Sequence, residues 1–295
     1  MMEDAVRIIM AVALTAALST AARAEPAEDR RLCLAREGVS ADQKLTACTA
    51  LIESRRETPQ GLVAAFNNRG IAYHNKKDYD GAIRDYDQIL RLEPGNAVAL
   101  NNRGNSFHAK ALSDRAMQDY DQAIRLNPKY ALAFVNRAVV HRNKGRFDDA
   151  IQDCSQAVAF NPNLVSAYFG RALAYQEKAR WDFDAYLSEG RYDDLAILDL
   201  DQAIRLDPKY AVAFGNRGNI YARKRQYDRA IADYSEAIRL APDDWTTFKN
   251  RALALRYVGQ YDRAIADYRK ALTLNVDEVT KKQVETSLKQ LRAAS

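Results

Sequence analysis

Glycine, proline and cysteine are all scarce in this 295-residue chain, at 12, 7 and 3 residues. Collagen needs glycine at every third place, and a disulfide-rich mini-protein needs far more cysteine, so both are excluded. No charge-poor run reaches the roughly 18 residues of a membrane-spanning helix, which excludes a multi-span membrane protein. A strong charge of one sign is lacking too. The net charge of +5 favours acidic partners weakly and falls far short of a nucleic-acid-binding tail. Apolar residues are plentiful at 47%, with too much Leu, Ile, Ala and Tyr for a disordered tail. Length alone suggests about two domains.

The amino terminus carries an export pattern. Arg7 stands in a short polar start, and Ile8 to Leu18 is an uncharged apolar stretch, too short to span a bilayer comfortably. Ala22-Arg23-Ala24 then supplies the small-x-small pattern of a signal-peptidase site, with cleavage expected before Glu25. Glu3 and Asp4 weaken the polar start, and an N-terminal amphipathic helix is the alternative reading. Cys33 lies too far beyond Ala24 for a lipid anchor. Residues 1–24 are therefore expected to be a removed leader. The mature chain is expected to be soluble, periplasmic or secreted, with no stable membrane insertion.

Proline spacing reveals the organisation. Pro94, Pro128, Pro162, Pro208 and Pro242 are separated by 34, 34, 46 and 34 residues. The run Asp121 to Leu126 recurs as Asp201 to Leu206 and loosely as Asp87 to Leu92. A fixed period of 34 signals a stacked array of helical hairpins. The units are read as 63–96, 97–130, 131–164, 165–210, 211–244 and 245–278. A helical pair over 25–62 precedes them, and residues 279–295 form a closing helix and tail, with Val284, Leu288 and Leu291 at helical spacing. One quasi-linear stack thus replaces the two globular domains suggested by length.

Over about three quarters of its length the chain resembles the tetratricopeptide repeat family. In the first unit Phe66, Gly70, Tyr73, Ala82, Tyr86 and Pro94 occupy the family's signature places. The small place recurs as Gly104, Ala138, Ala172, Gly218 and Ala252, and the second-helix alanine as Ala116, Ala150, Ala196, Ala230 and Ala264. Val276 replaces the last proline, as suits a terminal repeat. The resemblance implies an all-α fold, a right-handed superhelical solenoid of antiparallel helix pairs. It also implies a protein–protein interaction scaffold that binds an extended peptide or partner protein in its concave groove. The pattern has a physical basis, because a small residue is needed where two helices cross and proline cannot continue a helix.

Two polar rows recur. Arg69, Arg103, Arg137, Arg171, Arg217 and Arg251 stand where the family usually has leucine. Asp85, Asp119, Asp153, Asp199, Asp233 and Asp267 follow at a spacing of sixteen once the insertion in the fourth unit is discounted. Structural Arg–Asp pairs are the expectation, and an arginine ladder for a polyanion is the alternative. The second row is Asn68, Asn102, Asn136, Asn216 and Asn250. Asparagine costs roughly half a kcal/mol relative to alanine inside a helix, so its return asks for a reason. By resemblance this face lines the groove, where a carboxamide can donate to and accept from a peptide backbone. The alternative is that these asparagines only solvate the groove or join the Arg–Asp lattice.

Other groove places form a gradient. Ala64, Ile71, Val98, Leu132, Val135 and Val139, interleaved with Asn67, Asn101 and Asn105, make the first half mainly apolar. Arg142, Arg223, Lys249 and Arg256 make the second half basic, with Glu177 as an acid among them. An acidic protein or peptide partner is thereby favoured, and nucleic acid is not expected.

The fourth unit is longer by twelve residues, roughly 178–189, and carries Trp181, Phe183 and Tyr186. These aromatics either anchor a partner or pack on one another. Cys33 and Cys48 are expected to form a disulfide if the chain is exported, and Cys154 to remain a buried thiol. His74 and His108 share a groove place, but no ordered ligand set accompanies them, so neither a metal nor another cofactor is expected. Phosphate-binding glycine loops and nucleophile elbows are lacking, and no enzyme activity is expected. Asp148-Asp149 and Asp193-Asp194 are read as caps or dipole partners at the starts of second helices. Two other partner modes remain: docking through the convex face or the 178–189 insertion, and binding of an anionic cell-envelope polymer.

Overall fold

The computed structural model describes residues 27–35, 37–181, 190–274 and 276–294. The leader expected at 1–24 and the insertion aromatics Phe183 and Tyr186 lie outside the described residues. The described residues are helical, with short turns and no strand among them. No helix among them is long and apolar enough to cross a membrane. Two compact units divide the chain, Met1–Val140 and His141–Ser295.

The first unit contains α1 (27–34), α2 (Ala41–Ser54), α3 (Pro59–Asn75), α4 (Tyr79–Leu92), α5 (Ala97–Ala109), α6 (Ser113–Leu126) and the start of α7 (Ala131–Asn143). Local chemistry sets these boundaries. Ser40 and Gln43 form a reciprocal capping box at α2. Thr58 caps α3 ahead of Pro59 at the first helical turn, and Asp78 and Asn96 cap α4 and α5. A disulfide between Cys33 and Cys48 ties α1 to α2, with Ala47, Leu51 and Ala65 packed around it.

The second unit continues with the end of α7, then α8 (Phe147–Phe160), α9 (Val165–Trp181), α10 (Arg191–Leu206), α11 (Ala211–Arg223), α12 (Tyr227–Leu240), α13 (Trp245–Tyr257), α14 (Tyr261–Leu272) and α15 (Glu278–Ala294). Helix α9 has 17 residues where α11 and α13 have 13, so the fourth repeat's first helix runs through Lys178 to Trp181. At the carboxyl end α15 buries Val284, Leu288 and Leu291 against Ala252, Leu255 and Tyr268.

The crossing of paired helices explains the small place. A β-carbon on Gly70 would stand 2.8 Å from the Tyr86 ring, and one on Gly104 would stand 2.6 Å from Tyr120. Both tyrosines are almost fully buried, and burying such a side chain contributes about 1.5–3 kcal/mol. Alanine takes this place beside the smaller Leu200, as Ala172, and in the last pair Ala252 shares a core cluster with the ring of Tyr268.

The turns inside five of the pairs follow one pattern. The residue after the turn donates its N–H five residues back, as in Asp78 to Tyr73, Leu112 to Phe107 and Gln226 to Tyr221. The preceding residue is left-handed: Gly145 and Gly259 in two turns, but Lys77, Ala111 and Arg225 in three others, with φ of 64°, 60° and 58°. This arrangement ends helices by satisfying their last carbonyls, and glycine is the residue it favours.

Candidate functional site

The repeated arginines are fixed by geometry. Arg103 donates from Nε and Nη2 to the two oxygens of Asp119 at 2.8 and 2.7 Å, and from Nη1 to Asp87 at 2.6 Å. The Nη1 arm reaches back to the preceding pair, so each arginine links two hairpins. Arg69, Arg171, Arg217 and Arg251 grip Asp85, Asp199, Asp233 and Asp267 in the same two-pronged way. Their Nη1 arms reach Thr49, Ser155, Asp201 and Ser235. In Arg137 that arm reaches Asp121 at 2.7 Å. Asp153, in the second unit, is buried with His141 Nε2 3.6 Å away. Each arginine also lies over an aromatic ring, as Arg137 does over Phe134 at 5.5 Å, which adds a cation–π contact. These guanidinium groups are engaged inside the scaffold and present little to a ligand.

The asparagines bond largely to one another. In the first unit Asn136 donates to Asn101 at 2.8 Å, Asn101 to Asn102 at 3.3 Å, and Asn102 to Asn67 at 3.2 Å. Asn68 is half-buried on α3 and outside that chain of amides. In the second unit Asn216 donates to the Val212 carbonyl of its own helix, while Asn250 donates to Asn219 at 3.0 Å. Asn219 also accepts from the Tyr234 hydroxyl at 2.8 Å, as Asn105 does from Tyr120. Burial pushes both phenols up, so they stay protonated and act as donors here. Each donating carboxamide keeps a second N–H, so the row is internally braced yet still able to bond a ligand.

The basic places divide. Arg223 pairs with Asp193 at 2.6 Å, and Arg142 approaches Glu177 at 3.8 Å. Lys249 lies over the Trp245 ring at 5.2 Å, and Arg256 is exposed. The acid pairs at second-helix starts are ion-pair acceptors rather than side-chain caps: α8 and α10 show no side-chain cap bond. Instead Asp148 holds Lys178 at 2.5 Å and Asp194 holds Lys224.

Three successive first helices, α9, α11 and α13, open onto one cavity of about 580 Å³ in the second unit. That volume suits a small ligand or a few peptide side chains. The cavity gathers Asn216, Asn250 and Arg223, and omits Lys249, Arg256 and Arg142. It adds Gln176, Arg180, Asn219, Leu253 and Tyr257, which the groove reading had not singled out. Tyr257 stacks on Tyr227 with ring centroids 4.7 Å apart. A sequence signal for the Asn219–Tyr234 bond does exist, since its fifteen-residue separation repeats that of Asn105 and Tyr120. Elsewhere, Trp181 is 70% exposed beside Phe147 and Lys178. His74 is held by Ser106 at 3.0 Å, and no cluster of metal-binding side chains occurs among the described residues.

Within each unit, antiparallel helix pairs with polar side chains along their first helices define a repeat-type scaffold. The sequence profiles of the tetratricopeptide repeat match residues 63–96, 97–130, 131–164, 211–244 and 245–277. The chain belongs to the tetratricopeptide repeat family, whose members are typically non-enzymatic protein-interaction scaffolds. Among solved structures it is similar to a tetratricopeptide repeat protein from Parabacteroides merdae, at 18% identity and TM-score 0.59, covering 85% of this chain and 92% of that one. It is also similar to pilF of Pseudomonas aeruginosa, at 13% identity and TM-score 0.66, covering 78% of this chain and 100% of that one. A third is found in the APC/C hetero-tetramer Cut9–Hcn1, at 17% identity and TM-score 0.64, covering 85% and 52%. At these identities the likeness speaks for the fold. Comparison with curated proteins found no match.

Proposed function

We propose that this chain is an exported scaffold, periplasmic or secreted, that binds an extended peptide or partner-protein segment along the face made by its first helices. The cavity shared by α9, α11 and α13 carries the reading, because it sets amide groups beside apolar side chains on a concave surface. A carboxamide mimics the hydrogen-bonding capacity of a peptide group and so holds a chain without demanding a sequence. In the first unit the first helices of the pairs expose Ile71, Val98 and Leu132 and carry the linked asparagines. The leader pattern ending at Ala24 supports export.

The test is a pull-down from the periplasmic fraction, with the wild-type chain and an Asn216→Ala/Asn250→Ala variant as baits. Loss of partners with an unchanged circular dichroism spectrum is expected, and unchanged capture removes the asparagine mode. N-terminal sequencing of the exported chain should begin at Glu25. A second reading rests on the exposed Trp181, which suits docking through the 178–189 insertion. Deleting 182–189 separates the two, since a groove binder keeps its partners. A polyanion ligand is disfavoured by the engagement of the repeated arginines, and steep loss of binding with salt would revive it.

A further inference from the structure

We infer that the cavity of the second unit selects an internal acidic residue standing next to a large apolar one in the bound peptide. This deepens the groove reading above and rests on it. The argument starts from which hydrogen-bonding atoms are already taken. Asn219 Oδ1 accepts from both Tyr234 and Asn250, so what Asn219 offers a ligand is its N–H₂ group. Gln176 lines the cavity, and its Nε2 is buried with no partner among the described residues. A buried donor left in that state is costly, and an incoming acceptor relieves it.

Charge points the same way. Arg180 and Arg223 line the cavity with Glu177 as the acid among them. Glu177 faces Arg142 at 3.8 Å, which draws it away from a ligand. Arg223 gives one nitrogen to Asp193 and keeps its others. Arg180 is exposed and makes no ion pair with any described residue. Beside these donors the same wall exposes apolar surface, with Leu253 at 42% and Tyr257 at 61%. Donors with net positive charge next to uncovered apolar side chains match a carboxylate flanked by an apolar residue. Asn216 and Asn250 stand on successive first helices, α11 and α13. A strand held by both runs across the cavity beside Arg180 and Arg223, which suits an acidic side chain within the peptide.

Fluorescence anisotropy of the full chain with three capped, fluorescein-labelled Gly/Ser peptides tests this. They carry a central Glu-Leu, Gln-Leu or Glu-Ser pair. Glu-Leu should bind about tenfold tighter than either of the others, as one charge-assisted hydrogen bond or one buried aliphatic side chain supplies. Arg180→Gln should abolish the preference over Gln-Leu, and Leu253→Ser the preference over Glu-Ser. Both residues are exposed, and circular dichroism verifies that each variant folds. Equal binding of the three peptides overturns the selectivity and leaves the groove reading standing. So does a preference that survives Arg180→Gln. Absence of binding by all three up to about 1 mM, together with unchanged pull-down by the asparagine variant, removes both readings.

Discussion

Replacing Arg103 by leucine, the residue usual at this place in the family, should destabilise the first unit strongly, although the guanidinium touches no ligand. Its Nε and Nη2 bonds end on Asp119, whose side chain is 6% exposed, while its Nη1 bond ends on Asp87, which is 38% exposed. Removing the arginine strands the Asp119 carboxylate away from water, and breaking a buried pair in this way costs about 3–5 kcal/mol. Arg103 itself is 22% exposed, so solvent reaches part of the site and the lower end of that range is expected. Asp87→Ser removes only a screened partner, worth about 0–1 kcal/mol. A serine at the equivalent place already serves Arg171 and Arg251. The double variant Arg103→Leu/Asp119→Leu should recover most of the loss, because two apolar side chains need no partner. Urea denaturation by far-UV circular dichroism gives the magnitudes. Hydrogen exchange on α5 and α6 localises the loss, since a repeat array need not melt in one step. The reasoning is refuted if Asp87→Ser costs as much as Arg103→Leu, or if the double variant is no more stable than the single one.

Three further outcomes follow from local chemistry. Burial pushes the Cys154 thiol up to about 12, so at pH 8 it should resist Ellman's reagent until the protein unfolds; rapid labelling of the native chain contradicts this. Ala111→Gly and Arg225→Gly should each raise stability by about 0.5 kcal/mol, because relief of a left-handed backbone, about 1 kcal/mol, exceeds glycine's added entropy cost; a lowered Tm contradicts it. Desolvation holds the His74 and His108 imidazoles below their usual pKa. The unfolded chain then binds more protons than the folded one near pH 6, so stability should be intact above about pH 7 and fall as pH drops through about 6.5. His74→Asn should flatten that slope, and an unchanged slope assigns the acid sensitivity elsewhere.

The legible part of the fold is the part that sterics repeat. Gly70 with Tyr86 and Gly104 with Tyr120 recur in register because at these crossings a buried ring occupies the room a β-carbon would need. The all-helical, paired architecture could therefore be read from period and slot. Partners were harder to see than places. The asparagine row is visible in the sequence, but its links to Asn67, Asn101 and Asn219 join different positions of neighbouring repeats, and a repeat-by-repeat comparison aligns like with like. Asp148, Asp193 and Asp194 resemble helix caps in sequence, yet they serve cations some thirty residues further along the chain. The left-handed turns at Lys77, Ala111 and Arg225 left no trace, because the residue that announces such a turn, glycine, is absent there.

The disulfide between α1 and α2 gives melting a direction. A linear array frays from its ends, since a terminal element has a neighbour on one side only. At the amino-terminal end Cys33 and Cys48 are covalently joined beneath Ala47, Leu51 and Ala65, so α1 cannot peel away from α2 while the bond is intact. At the carboxyl-terminal end α15 is held through noncovalent burial of Val284, Leu288 and Leu291. In an oxidising compartment α15 can thus open with no covalent bond broken, whereas α1 stays attached to α2. A reductant would free the other end as well, turning a one-ended zipper into a two-ended one without touching a groove residue.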